Sequence, residues 1–402
     1  MFNSKKNLLN HFKNLNFNKI LGYDIAVFKG LKNKSKNYLF DNISQLYILF
    51  KNLLGTIYRS IFTYPEIKYS KNKKIFYIRS QSTSYVIPHS SSYEKIDGTT
   101  VCLISARVKK INITAFFYGV NLIFKFRKSW LKVLNNNGIN FYSISGLKIF
   151  LILFNSLSDS IKIFPLLSKY LKVVSFQEVC QVENMICQLA NLNNIKTFAL
   201  EHGMGTFKLK GPYWQRIPLR TYLSSVCKNV LCWGKFSKSL FSKYTNANVH
   251  IIGKASLPKK TKNLKGVTII FQHQNWKASN KKLLDIGTNL EKMNIPVSYW
   301  FKGENFLYKN NKTRTGPLRK IVLGNSSNLL AELGYLGLQV YLLKNSVFLE
   351  FLNNSSILLK IEKIKSQYFS KKKYPKYIWK SFIECTGNES IKKYKKIVLN
   401  QL

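Results

Sequence analysis

The feature that most constrains this chain is a repeated alternation of short, unbroken apolar runs with longer segments of helical period. Between 170 and 203 the sequence reads YLKVVSF, then EVCQVENMICQLANLN, then TFALEHG. The outer runs are β-rich and do not alternate with polar residues, as in strands buried on both faces. The middle segment (178–193) carries apolar residues at i, i+3, i+4 and i+7, which predicts an amphipathic helix. Strand, helix and strand at this spacing make a βαβ unit, the building block of a parallel sheet. The alternation extends both ways. Upstream, KIFYIRS (74–80), TVCLISA (100–106) and INITAFFY (111–118) read as strands. Downstream, VLCWG (230–234), a helix KFSKSLFSKY (235–244) and VHIIG (249–253) lead to ASLPKKTKNLKG (255–266), a polar, Pro-containing linker. Beyond it come VTIIFQH (267–273), a helix near 279–293, VSYWFKG (297–303), KIVLG (320–324), the helix NLLAELGYLG (328–337) and QVYLL (339–343). With 402 residues there is length for two domains. The expected class is α/β, with two Rossmann-like domains facing a cleft. The expected boundaries are 1–254 for the N-terminal domain, 255–266 for the linker and 267–402 for the C-terminal domain, whose last helix is free to pack back on the first.

Charge narrows the partners. Lys and Arg number 64 and Asp and Glu 17, for a net charge of +47. Such a surface attracts nucleic acid, anionic lipid headgroups, or phosphorylated and acidic sugars. The bland account is an A/T-rich codon bias that fills solvated positions with Lys, because the lysines are spread along the whole chain. No zinc spacing, helix-turn-helix signature or RNP-like motif accompanies them, so nucleic acid is not the expected partner. A non-enzymatic nucleic-acid binder is the reading that charge alone supports. The six cysteines include no CxxC pair and read as buried thiols of a reducing cytoplasm. The N-terminal MFNSKKNLLNHFKNLNFNKILGYD lacks the core and cleavage site of a secretory signal. It reads either as a basic amphipathic helix on a membrane or as a helix on the protein's own surface. The apolar run IFLILF (149–154) falls far short of the ~20 residues of a spanning helix. A soluble or membrane-peripheral cytoplasmic protein is expected.

In parallel α/β sheets, ligands sit beyond the carboxyl ends of the strands, and four strand ends carry chemistry. In IKTFALEHGMGTFKLKG (195–211) a buried strand runs into Glu201, His202, Gly203 and Gly205. The glycines permit a tight turn and close approach of a ligand, and a His beside a carboxylate suits a general base. The bland alternative is a structural His among turn glycines. In IVLGNSSNLLAELGYLG (321–337) a strand ends at Gly324, and Asn325, Ser326 and Ser327 open a helix. That arrangement forms either a phosphate cradle or a plain helix cap. In VTIIFQHQNW (267–276), Gln272, His273, Gln274 and Trp276 suit contact with a nucleotide, and a surface loop with a partly buried Trp is the plain alternative. In VSYWFKGEN (297–305), Lys302 suits a diphosphate, and a solvated turn Lys is the plain alternative. Earlier, SQSTSYVIPHSSSYEKIDG (80–98) reads as a long loop, with His89, Glu94 and Asp97-Gly98 as polar groups suited to an acceptor.

Taken in order, these motifs resemble the GT-B glycosyltransferases of bacterial surface polysaccharides. The closest likeness is to capsule-type transferases, bacterial sialyltransferases and CDP-glycerol glycerophosphotransferases. LEHGMG matches their HG or acidic-DG strand end, VLCWG the strand before the hinge, VHIIGK the hinge-proximal segment, and GNSSNLLAELGYLG the Ser-Ser helix start. The resemblance covers about 170–345 and is faint over 1–165. It departs where many relatives carry His-Pro, because here the chain reads FKGEN with Lys302 in the place of the His. The resemblance implies a metal-independent transferase with no cofactor, whose substrate is a nucleotide-sugar. It implies a donor held in the second domain, its phosphates gripped by the Ser326-Ser327 helix start; together with the strand-end readings, the expected donor contacts are Ser326, Ser327, Asn325, Lys302, His273, Gln272 and Glu332, and the expected glycine turns are Gly203, Gly205 and Gly324. It implies a glycan or lipid-linked acceptor in the first domain, and Glu201 or His202 as the base. Strand alternation sends those two side chains to opposite sides, and His202 is preferred. An anionic membrane surface, the inner face of the cytoplasmic membrane, is the implied setting. A glycerol- or ribitol-phosphate transferase and an inactive transferase are the alternatives.

Overall fold

The computed structural model describes residues 10–32, 43–70, 74–80, 87–96, 99–176, 180–203, 219–258, 264–272, 277–300, 316–350 and 377–399. The first part of the chain contains α1 (Phe17–Lys32), α2 (Ile43–Phe62), β1 (Thr63–Lys68), β2 (Ile75–Arg79), α3 (Ile87–Glu94), β3 (Thr99–Lys109), α4 (Ile113–Lys125), α5 (Arg127–Asn136) and α6 (Ile144–Leu167). The βαβ unit follows as β4 (Lys172–Ser175), α7 (Gln181–Leu192) and β5 (Lys196–Leu200), and then α8 (Leu219–Leu223), β6 (Asn229–Cys232), α9 (Lys235–Tyr244) and β7 (Asn248–Ile251). The second part contains β8 (Leu264–Ile270), α10 (Lys277–Lys292), β9 (Val297–Trp300), β10 (Arg319–Gly324), α11 (Asn328–Tyr335), β11 (Gln339–Leu342), α12 (Tyr377–Lys380) and α13 (Asn388–Val398).

Two sheets result. The first runs β1-β3-β2-β4-β5-β6-β7 and the second β11-β10-β8-β9. Every pairing is parallel except β1 with β3. The fold is therefore α/β with two Rossmann-like units, the class expected from the alternation of runs. Strand order fixes where ligands can sit. In the first sheet the chain goes from β2 to β3 on one side and returns to β4 on the other, so the switch point lies between β2 and β4. In the second sheet it lies between β8 and β10. Crevices for ligands open beyond the strand ends at such points.

The first sheet is covered on both faces, which is why its strands carry no polar alternation. Phe76, Ile78, Val173 and Val230 pack with α6 and α7 on one face. Ile75, Tyr77, Val174 and Phe198 pack on the other with Tyr394 and Val398 of the C-terminal helix α13. Tyr93 ties α3 to α13 through a 2.8 Å bond to Ser390 and a ring contact with Tyr394 at 4.6 Å. The second sheet has its own core around Val322, Leu330 and Val340, and Trp233 from the end of β6 inserts into it.

Three expectations need correction. Residues 111–118 are not a strand, because Ile113 opens the helix α4. Its buried positions Ala115, Gly119, Leu122 and Ile123 repeat at helical spacing, while its outer positions are also apolar, so the run looked strand-like. The segment 80–98 contains the helix α3, and Glu94 at its end pairs with Arg79 at 2.8 Å. IFLILF is part of α6, a helix of 24 residues, because Asn, Ser, Asp and Lys on one side interrupted the apolar run without ending the helix. By length and composition α6 is long and apolar enough to cross a membrane, but 72% of its apolar window is buried inside the protein. The edge strand β1 was not expected at all. It holds Pro65, which an edge position tolerates.

Candidate functional site

The second-sheet crevice is built by β8, β10 and the start of α11. Beyond β8, the Asn280 side chain clamps the backbone of Gln272: its Oδ1 accepts from the Gln272 N–H at 3.0 Å and its amide donates to the Gln272 carbonyl at 2.9 Å. Beyond β10, Asn325 is fully buried and donates to Ser279 Oγ at 2.9 Å, and Asn345 donates to the same hydroxyl at 3.0 Å. Ser346 Oγ donates to the Asn325 carbonyl. These bonds fix the loop that carries Ser326 and Ser327. Ser326 Oγ lies 3.2 Å from Asn325 Oδ1. Ser327 is the N-cap residue of α11 in an extended conformation, and its side chain makes no capping hydrogen bond. Gly324 leaves room for Leu330, whose methyls would lie 2.8 Å from an added Cβ. The result is a rigid turn that presents the amino end of a helix at a switch point, the geometry that receives phosphate.

Glu332 is also among the residues expected at the donor. It lies in the second turn of α11 and pairs with Lys254 at 2.5 Å, with both side chains nearly buried. Lys254 Nζ also sits 4.5 Å from the Trp233 ring centroid. His273, Lys302 and Gly205 lie outside the described residues, as do Gln274, Trp276, Asp97 and Gly98.

On the first sheet, Glu201 and His202 follow β5 and diverge. Glu201 is buried and turns toward β6 and α9. One carboxylate oxygen accepts from the Trp233 backbone N–H at 2.7 Å, and the other accepts from the Ser237 hydroxyl at 2.6 Å. The Trp233 indole donates to the Glu201 carbonyl at 2.9 Å. Burial pushes the Glu201 carboxyl up from 4.5 to about 7, opposed by those two hydrogen bonds and by Lys254. His202 is half-buried and lies on the other side, its ring 6.1 Å from that of Phe176 at the end of β4. Gly203 then meets the second unit. A Cβ there would sit 2.7 Å from Asn328 Nδ2 in the first turn of α11. The EHG turn and the amino end of α11 are therefore in direct apposition. A continuous path runs behind them, from Glu201 through Trp233 and Lys254 to Glu332.

A cavity of about 430 Å³ occupies the first-sheet switch point. Its wall includes Ser80 at the end of β2, Ser105 of β3, Gln181 at the start of α7, Asn155 and Asp159 of α6, and Arg59 of α2. Its size is that of a small-ligand site. Asp159 is held by a two-pronged Arg107 at 2.7 and 2.6 Å and by Arg59 at 3.3 Å. Nearby, Lys162 donates to the Thr63 carbonyl at 2.7 Å, and burial pulls its pKa down to about 8. Sequence reasoning missed this cavity. Its local signal was the cluster Asn155, Ser156, Asp159 and Lys162 within a largely apolar helix. Asn328, Lys254 and Trp233 were also missed, because their roles depend on contacts between distant parts of the chain.

The six cysteines are free; Cys180 is half-buried and the others are buried. No protein-family profile and no curated protein matches the chain. Among solved structures, that of MurG from Acinetobacter baumannii is similar over 82% of this chain and 100% of its own, with a TM-score of 0.40 and 11% sequence identity. A likeness at that level identifies neither a family nor an activity.

Proposed function

We propose that this chain is a glycosyltransferase that moves a sugar from a nucleotide-activated donor to a glycan or lipid-linked acceptor. The observation that carries the reading is the apposition of Gly203 with Asn328, which sets the EHG turn of one parallel sheet against the phosphate-binding geometry of the other. The donor phosphates rest on the amino end of α11, with Asn325, Ser326 and Ser327 supplying backbone N–H groups and hydroxyls. The acceptor occupies the first-sheet cavity and the adjoining edge. That cavity flanks β2 and β4 and His202 follows β5, so at ~4.8 Å per strand they lie about 10 Å apart along one edge.

His202 takes the role of base. It receives the proton of the acceptor hydroxyl as that oxygen bonds to the anomeric carbon, while the bond from that carbon to the donor phosphate oxygen breaks. Negative charge then grows on the departing phosphate, where the helix dipole and the serine hydroxyls stabilise it. Glu201 acts at one remove. Both of its oxygens are engaged by Trp233 and Ser237, so it positions the turn that carries His202. The test is nucleotide binding by the purified chain, measured by calorimetry against CMP, CDP, UDP and GDP. Ser326→Ala/Ser327→Ala should weaken binding of the preferred nucleotide at least 10-fold with the melting temperature unchanged. Unaltered affinity in that variant would remove α11 from the donor site. Turnover of CDP-glycerol in place of any nucleotide-sugar would reassign the cleft to phosphotransfer.

A further inference from the structure

Helix α2 is built inside out. Its solvent side carries Tyr47, Phe50, Leu54, Tyr58 and Phe62, which share an arc of about 120°. These side chains are between 42% and 67% exposed. The opposite side carries Thr56 and Ser60, which are 5% and 1% exposed. Thr56 accepts from Asn155 of α6 at 3.0 Å, and Arg59 reaches Asp159, so the polar side of α2 faces a polar seam within the protein. Hydrophobic burial in water would place these residues the other way round.

Helix α4 extends the same surface. Ile113, Phe117 and Phe124 form one stripe and are 51%, 64% and 63% exposed. The two helices adjoin. The Asn112 N–H donates to the Ile61 carbonyl at 2.7 Å and the Lys110 N–H to the Phe62 carbonyl at 3.0 Å, while the Tyr58 and Phe62 rings lie 5.3 Å apart. A contiguous apolar surface of this kind on a folded chain marks an interaction site.

Charge identifies the occupant. Lys51 of α2, Lys109 and Lys110 at the junction and Lys125 at the end of α4 are exposed, and neither helix contains an acidic residue, whereas Arg59 and Arg107 are taken up by Asp159. Aromatic and aliphatic groups beside exposed lysines, on helices without acidic residues, match the boundary between acyl chains and anionic headgroups. We propose that the outer faces of α2 and α4 dock on an anionic lipid bilayer, with the Tyr47–Phe62 arc and the Phe117–Phe124 stripe in the interface. This rests on the exposure and charge of two helices and stands whether or not the transferase reading does. Because Arg59 and Asn155 on the inner side line the first-sheet cavity, the bilayer would lie about one helix diameter, ~10 Å, from that cavity.

The test is co-sedimentation of the full chain with vesicles of phosphatidylglycerol and phosphatidylcholine, and with vesicles of phosphatidylcholine alone. Wild type should bind the anionic vesicles at least 10-fold more tightly. Phe50→Ser/Leu54→Ser/Tyr58→Ser and Phe117→Ser/Phe124→Ser should each weaken that binding 10-fold or more while circular dichroism stays unchanged. Lys281→Gln/Lys282→Gln, which removes two exposed charges from α10, should leave it within about 2-fold. Wild-type binding by the two serine variants would overturn the proposal, since charge alone would then hold the lipid. A serine variant that turns a dimer into a monomer in light scattering, with vesicle binding intact, would assign the face to a second copy of the chain.

Discussion

Replacing Glu201 with Gln separates a structural carboxylate from a catalytic one. The side chain meets two donors, the Trp233 N–H at 2.7 Å and the Ser237 hydroxyl at 2.6 Å. Gln fits this site if its carbonyl accepts from Trp233 and its amide donates to Ser237 Oγ, since a hydroxyl can reverse its role. The predicted transfer rate of Glu201→Gln is therefore within about 3-fold of wild type, whereas loss of a general base costs roughly 10²–10⁴-fold. Stability supplies an independent measure. Burial raises the Glu201 carboxyl from 4.5 to about 7, so between those values the folded chain holds a proton that the unfolded chain has released. The raised value makes the contribution of Glu201 fully present at low pH, and it is lost as pH rises through the window. The interval corresponds to on the order of 3 kcal/mol. Urea unfolding of wild type and Glu201→Gln at a series of pH values from 4 to 8 measures it, because other titrating groups cancel in the difference. Wild type should lose its advantage over the variant progressively across the window. A difference that does not vary with pH, or a folded Glu201→Gln protein with transfer abolished, would refute the structural assignment.

Four further outcomes are expected. Glu201→Ala leaves two buried donors without an acceptor and should cost about 3–5 kcal/mol in urea unfolding. Gly203→Ala should reduce transfer about 10-fold with stability changed by no more than ~1 kcal/mol, because the end of the Asn328 side chain can swing aside. Asn328→Ala in the same chain should restore the rate, as steady-state kinetics of the three variants would show. Glu332→Gln should destabilise by about 3 kcal/mol, because it leaves the Lys254 cation buried without its partner, and Lys254→Met/Glu332→Leu should recover most of that loss; weakened nucleotide binding at unchanged stability would instead return Glu332 to the donor. Gly334→Ala drives a Cβ to within 2.3–2.5 Å of the buried Trp379 indole and should cost about 1–3 kcal/mol, read as a lowered thermal midpoint.

Much of the parallel core was legible in the sequence for a physical reason. Strands buried on both faces must be apolar throughout, so KVVS, TFAL and NVLC stand out between helices of clear period. Where a helix is apolar on its outside as well, as α4 is, periodicity fails and ITAFFY passes for a strand. Where a helix carries polar groups into the interior, as α6 does with Asn155, Asp159 and Lys162, the apolar run looks broken. Both misreadings arise in the same region, beside the inverted helix α2. At the candidate site, the strand ends were legible because switch-point geometry puts ligands there. The partners of those residues were not. Glu332 stands one turn past the Ser-Ser start and resembles a donor contact in sequence, but its partner Lys254 is supplied from across the linker. Glu201 beside His202 reads as a catalytic pair until Ser237 and Trp233 are seen to occupy its carboxylate.

The most direct test of the account is turnover of a panel of CMP-, UDP- and GDP-sugars, together with CDP-glycerol, by wild type and His202→Ala, followed as nucleotide release. The account predicts release from a nucleotide-sugar by wild type and a loss of at least about 100-fold in the variant, with its circular dichroism and thermal midpoint unchanged. Equal turnover by the two proteins, or no turnover and no nucleotide binding by wild type, would contradict it.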